Sequence, residues 1–246
     1  MPNCLVIQHV VPESAFAIET SLRGAEVDID TRRVFARDPI PDDLTGIDGL
    51  VVLGGPMSAG SDEGFSTRGA EIALLAEAID AGIPTLGVCL GAQLLALAGG
   101  GSVSSGAAGP EVGWGPVTLL ASCEDDALFT GLPETLAVMH WHSDTFEIPS
   151  GAHRLMANAS YANQAFRIAD VAWGLQFHLE VTKEAVEGFL RAFGSEAAGA
   201  PGGADRIRRA TPGALEELAG PRAQVLGRFA GLVAAQINRA DLVGGV

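Results

Sequence analysis

Apolar residues in the first half of the chain come in short unbroken runs. "CLVIQHV" from Cys4, "GLVVLGG" from Gly49 and "PTLGVCL" from Pro84 have the length and continuity of strands buried on both faces. Between them the period changes: "FAIETSLRGAE" and "TRGAEIALLAEAIDAG" place apolar residues three and four apart, as on a helix with one buried side. Strands alternating with helices predict βαβ units and a mostly parallel sheet; "EVDIDTRRV" supplies one further strand. From Gly113 the rhythm shifts. "GWGPVTLL", "ETLAVMHWH", "HRLMANAS", "NQAFRI" and "VAWGLQFHLE" follow closely with turn residues between them, which predicts antiparallel or mixed strands added to the same domain, before a helix in "VTKEAVEGFLRAF".

The tail reads differently again. "GSEAAGAPGGAD", from Gly194, is small and glycine-rich and predicts a mobile connection. A last helix is expected to begin with Pro221 at its first position and to carry Val225, Leu226, Phe229, Leu232, Val233 and Ile237 as one stripe packed on the chain's own core. The expected architecture is a doubly wound, flavodoxin-like α/β domain over residues 1–194, with residues 195–246 as a helical extension packed on it. No internal repeat and no second core are visible.

Composition narrows the function classes. With 48% apolar residues in 246, a substantial core is available. No apolar run reaches membrane-spanning length and "MPNCLVIQHVV" lacks a basic leader region, so a cytoplasmic protein with no membrane partner is expected. A net charge of −15 argues against nucleic acid and favours a small molecule or a protein partner. Cys4, Cys89 and Cys123 are too far apart for a CxxC metal site and odd in number for a disulfide framework.

One of them has a distinctive setting. Gly87-Val88-Cys89-Leu90-Gly91 joins a predicted strand to a predicted helix, which is the logic of a nucleophile elbow: a reactive side chain on a tight turn, with flanking glycines leaving room for strand and helix. A helix N-terminus should also lower the thiol's pKa. In "GLQFHLE", His178 and Glu180 are two apart and share a face if the segment is extended, giving a base and its orienting carboxylate. The strand ending in Gly54-Gly55-Pro56 offers unobstructed N–H groups which, with that of Leu90, could hold an oxyanion. A competing pattern is "HWHSD", with His140, His142 and Asp144 at alternate positions, spaced like metal ligands. Only His9, His153 and His178 remain to complete such a centre, so no metal and no other cofactor is expected.

With these pieces in place the chain resembles the class I, or triad, glutamine amidotransferases, and within them the stand-alone group similar to the amidotransferase part of GMP synthase. The stretches that carry the resemblance are "LGGPMS", "GVCLGAQLLA", "MHWHSDTFEIPSG", "YANQAF" and "GLQFHLEVT". The resemblance implies that Cys89 attacks the side-chain amide of glutamine, that Gly55 and Leu90 N–H groups hold the oxyanion, and that His178, oriented by Glu180, protonates the departing ammonia. It also implies that Gly54, Gln93, Trp141, His142 and Ser143 bind the substrate. Trp141 and Ser143 depart from the small residues some members place there. No GxxxxGK[ST] loop or ATP-pyrophosphatase loop occurs, so ammonia would pass to a separate synthase subunit. The alternatives are a stand-alone hydrolase of γ-glutamyl peptides or amides, and a non-catalytic interaction subunit on the same scaffold.

Overall fold

The computed structural model describes residues 1–236. The first half is built from β1 (Asn3–Gln8), α1 (Phe16–Gly24), β2 (Asp28–Arg33), β3 (Gly49–Val52), α2 (Arg68–Ala81), β4 (Thr85–Val88) and α3 (Leu90–Ala98). The second half contributes β5 (Ser102–Ser105), β6 (Glu111–Leu119), β7 (Thr135–His142), β8 (Asp144–Glu147), β9 (His153–Ala157), β10 (Ala165–Ile168) and β11 (Ala172–Leu175). Helices α4 (Lys183–Ala192), α5 (Gly194–Gly199) and α6 (Gly203–Ala234) follow. The main sheet has the order β2-β1-β3-β4-β11-β10-β9-β6-β7. It is parallel from β2 to β11 and antiparallel from β11 to β7, as the change of rhythm along the sequence predicts. A small β5–β8 pair, not foreseen from sequence, stands apart from it.

The continuous apolar runs are explained by two covered faces. Along β1, Val6 packs with α1 and α6 side chains, while Leu5 and Ile7 pack with those of α2 and α3. Both neighbours of any strand residue are therefore in core, and alternation disappears. Among the described residues no helix is long and apolar enough to cross a membrane.

The tail corrects two expectations. Residues 194–205 are not a loose connection: they form α5, a turn, and the first residues of α6. Pro221 does not start a helix; it lies inside α6, as does Pro212. Each internal proline costs a helix on the order of 3 kcal/mol. Burial of Ile207, Leu218, Val225, Leu226, Phe229 and Val233 along the same helix outweighs that cost. Local punctuation suggested a break where tertiary packing imposes continuity. Leu232 is only partly buried, and Ile237 lies outside the described residues. Helix α6 is pinned to the sheet domain by Trp114 Nε1, which donates to Thr211 Oγ1 at 3.0 Å, and by Arg228, which donates to the carbonyls of Leu128 and Thr130.

Candidate active site

Cys89 is the residue between β4 and α3, with φ 50° and ψ −102°, a conformation that non-glycine residues rarely adopt. The turn is this sharp because the chain must leave the sheet and enter α3 at once, and the flanking glycines permit it. A Cβ on Gly91 would overlap the Val52 carbonyl, and one on Gly87 would lie 2.5 Å from the Gly91 oxygen. Strand β3, the elbow and α3 can approach this closely only without those side chains. Leu90 is the first residue of α3, where an N–H has no acceptor within the helix.

His178 and Glu180 come together, but not by the route expected. Strand β11 stops at Leu175, and residues 176–180 bend, with His178 N–H donating to the Met139 carbonyl in an isolated bridge to β7. His178 Nδ1 nonetheless lies 2.8 Å from Glu180 Oε1, and both side chains are buried. Arg222 of α6 donates to the Val181 carbonyl, and Glu180 O accepts from Ala17 N, so the stretch is held from two helices.

Electrostatics differ from the sequence expectation as well. Burial pushes the Cys89 thiol up, with the adjacent His178 ring pulling against it. On His178 burial opposes the charge, yet Glu180 and the neighbouring thiol outweigh it and hold its pKa well above 6.5. Glu180 thus stabilises positive charge on the ring beside the thiol. The thiol donates to the Trp141 carbonyl at 3.6 Å and accepts from Gln176 Nε2 at 3.7 Å.

A cavity of about 250 Å³ opens beside the thiol. Gly55, Cys89 and Leu90 line one part of it, and Gln93, Trp141, His142 and Ser143 another. Gly54, His178 and Glu180 are not part of that lining; His178 meets it through its contact with the Cys89 thiol. Gln93 Nε2 reaches the Asp144 carbonyl and Gln176 Oε1. Trp141 and His142 end β7.

Three residues that sequence reasoning passed over belong here. His9 Nδ1 is 3.0 Å from the Gly54 carbonyl and its Nε2 is 2.8 Å from Glu71 Oε2, while Thr67 Oγ1 donates to Glu71 Oε1; the side chains of His9 and Glu71 are fully buried. Gly54 C=O and Gly55 N–H belong to one planar trans peptide and point in opposite directions. Clamping the carbonyl on His9 therefore turns the Gly55 N–H away from His9. Glu13, after β1, lines the cavity and is 6% exposed. The only sequence signal for these residues was a histidine and an acid shortly after a buried strand.

Among the described residues, Glu111, His140 and His142 have ligand atoms within 4.8 Å of one another, the spacing of a metal site. The expected third member, Asp144, is elsewhere: its carboxylate accepts from Ser58 and Ser105. Glu111 already accepts from Asn158, Gln164 and His142, so a cation would have to displace those donors. Burial opposes charge on Glu111, but the His142 contact and the nearby imidazoles outweigh it and hold its pKa at about 2. This cluster ties β6 to β7 as a charged, hydrogen-bonded network.

A doubly wound sheet that holds a thiol on a strained elbow, beside a buried imidazole–carboxylate pair and a glycine turn, has the geometry of a thiol-based acyl-transfer site. The chain belongs to the glutamine amidotransferase class-I family, whose model matches residues 15–193. It is 32% identical over 203 residues to a glutamine amidotransferase-like protein of Salmonella typhimurium, covering 80% of this chain and 84% of that one. It is 30% identical over 159 residues to one subunit of the glutamine-hydrolysing GMP synthase of Methanospirillum hungatei, covering 64% and 77%. A solved glutamine amidotransferase from Thermotoga maritima superposes with a TM-score of 0.84 at 29% identity, covering 93% of this chain and 98% of that one. Membership of the family supports hydrolysis of the glutamine amide.

Proposed function

We propose that the protein hydrolyses the side-chain amide of glutamine or a γ-glutamyl amide through a thioester on Cys89, with His178 and Glu180 completing the triad. Sγ attacks the amide carbon as its proton passes to His178, and the carbonyl oxygen becomes an oxyanion held by Gly55 and Leu90 N–H groups. The C–N bond breaks as His178 returns the proton to the leaving nitrogen. Water then adds to the thioester, its proton going to His178, and glutamate leaves as Sγ is reprotonated. Gly54, Gln93, Trp141, His142 and Ser143 hold the amino-acid end. The His9–Glu71 pair acts as a positioning device for the oxyanion turn.

The observation that carries this reading is the 2.8 Å His178–Glu180 contact beside a strained, cavity-lining Cys89. A separate ammonia-accepting synthase is one destination for the product; the Methanospirillum hungatei relative, itself one subunit of a GMP synthase, supports it. The other reading is a stand-alone hydrolase of γ-glutamyl amides. It is favoured by Phe193 and Glu196, beside and within α5, which wall the same cavity from the chain's own tail. Assaying ammonia from glutamine, with and without the candidate synthase, tests the first; glutamate release from γ-glutamyl amides by the chain alone tests the second.

A further inference from the structure

The cavity beside Cys89 is lined by three carboxylates, Glu13, Asp144 and Glu196, and by no lysine or arginine. Asp144 is accounted for by its serine partners. Glu13 is not. It is more than nine-tenths buried, makes no side-chain hydrogen bond among the described residues, and lines the cavity. The imidazoles of His178 and His9 repay its desolvation only in part and supply no hydrogen-bond donor, so a donor for this cavity-lining carboxylate has to come from the cavity. Burial accordingly raises its pKa to about 7, against the pull of His178.

Its position says which part of a substrate it would meet. A Cβ at Gly54 would overlap Glu13 Oε2 and come within 3.0 Å of His178 Cε1, so carboxylate and imidazole meet across that glycine. The leaving nitrogen must face His178, the ring that protonates it, and whatever that nitrogen carries therefore extends towards Glu13. Glu196 stands further out, exposed at the rim, with Oε2 accepting from Trp141 Nε1 at 2.6 Å. The Trp141 carbonyl in turn contacts the Cys89 thiol.

We propose that Glu13 and Glu196 form an anionic subsite for the leaving group, and that the preferred substrate is a γ-glutamyl amide of a diamine, whose second amino group is protonated. This rests on the amide-hydrolase reading above and names its substrate class. An ammonium placed there gives Glu13 the donor it lacks and lowers its pKa. A neutral alkyl group would leave the carboxylate buried and unpaired, and a leaving group ending in a carboxylate, such as a peptide, would meet like charge. Hydrolysis is balanced by water alone: its oxygen joins the glutamyl carbon, and the leaving nitrogen gains a proton as the free diamine departs.

The test uses three amides of the glutamate side chain, made with 1,4-diaminobutane, pentylamine and 5-aminopentanoate, which share a four-methylene spacer and differ in the charge at its end. Their binding to the full-length Cys89→Ala chain is measured by calorimetry at pH 8. The diamine amide should bind about tenfold or more tighter than the pentyl amide, equivalent to about 1.4 kcal/mol, with the aminopentanoate amide weakest. Glu13→Gln should abolish most of that preference. Glu196→Gln, exposed and able to keep the Trp141 bond, should reduce it without affecting folding. Equal binding of the three amides, no binding of any of them, or a preference that survives both substitutions, overturns the subsite. Turnover of glutamine by the unsubstituted chain is read separately. Charge-ordered binding with no turnover of glutamine or the amides would refute the hydrolase reading while leaving the subsite intact, and glutamine turnover without charge order would do the reverse.

Discussion

At the scale of single residues, the site depends on groups whose orientation is imposed by others. His9 is the clearest case, because its ring touches the Gly54 carbonyl and not the cavity. Replacing His9 by Phe should lower kcat about 100-fold with little change in KM, since an oxyanion donor acts mainly in the transition state. His9→Asn, whose amide can reach the same carbonyl, should recover part of the loss; equal damage from both substitutions, or a KM effect alone, would count against the clamp. The juxtaposition of Cys89, His178 and Glu180 was legible in the sequence, in the glycine-flanked elbow and the two-residue spacing of His178 and Glu180. His9, Glu71 and Glu13 were not, because the contacts that join His9 to Gly54 and Glu71, and Glu13 to Gly54, span 41 or more positions and only the folded sheet makes them. The helix terminus at Cys89 was legible in the sequence, whereas the burial that raises the thiol's pKa was not.

At the scale of elements, the elbow and the β6–β7 pair are the parts most sensitive to change. Gly91→Ala forces a Cβ into the Val52 backbone, which cannot move without displacing β3. A loss of about 3 kcal/mol or more is expected in urea unfolding, and a loss under about 1 kcal/mol would show that the close approach is not needed. The β6–β7 pair carries a pH dependence. Burial holds His140 at about 4, below its ordinary 6.5, so its contribution to stability is fully present above pH 6.5 and is lost as pH falls through 4. Glu111, held at about 2 against an ordinary 4.5, adds its own loss only below that range. The drop in unfolding midpoint between pH 7 and pH 5 should therefore shrink in His140→Leu; an unchanged drop would place the acid sensitivity elsewhere. Period and run length made the parallel half of the sheet readable. The β5–β8 pair was hidden because "SVSS" and "DTFE" have neither apolar continuity nor clean alternation.

At the scale of the whole molecule, the tail joins both the core and the cavity wall. The family model ends at Phe193, yet α6 buries Leu218, Val225, Leu226, Phe229 and Val233 in the same core as α1 and β1. At roughly 1.5–3 kcal/mol for each buried side chain, their removal approaches the whole stability of an ordinary domain. A chain ending at Phe193 should aggregate or unfold at 25 °C, as seen by circular dichroism and gel filtration. A folded, monomeric truncation would mean that α6 is dispensable. Glycine and proline content made residues 194–205 look like a linker and Pro221 look like a helix start; only the buried stripe, read across Pro212 and Pro221 together, identifies α6 as one helix.

The central claim is that Cys89 performs the chemistry of a glutamine-type amide. The most direct measurement is simultaneous release of ammonia and glutamate from glutamine by the full chain, beside a Cys89→Ala chain shown to be folded. Equal amounts of the two products from the first and none above background from the second are predicted. Equal activity in both chains would contradict the account.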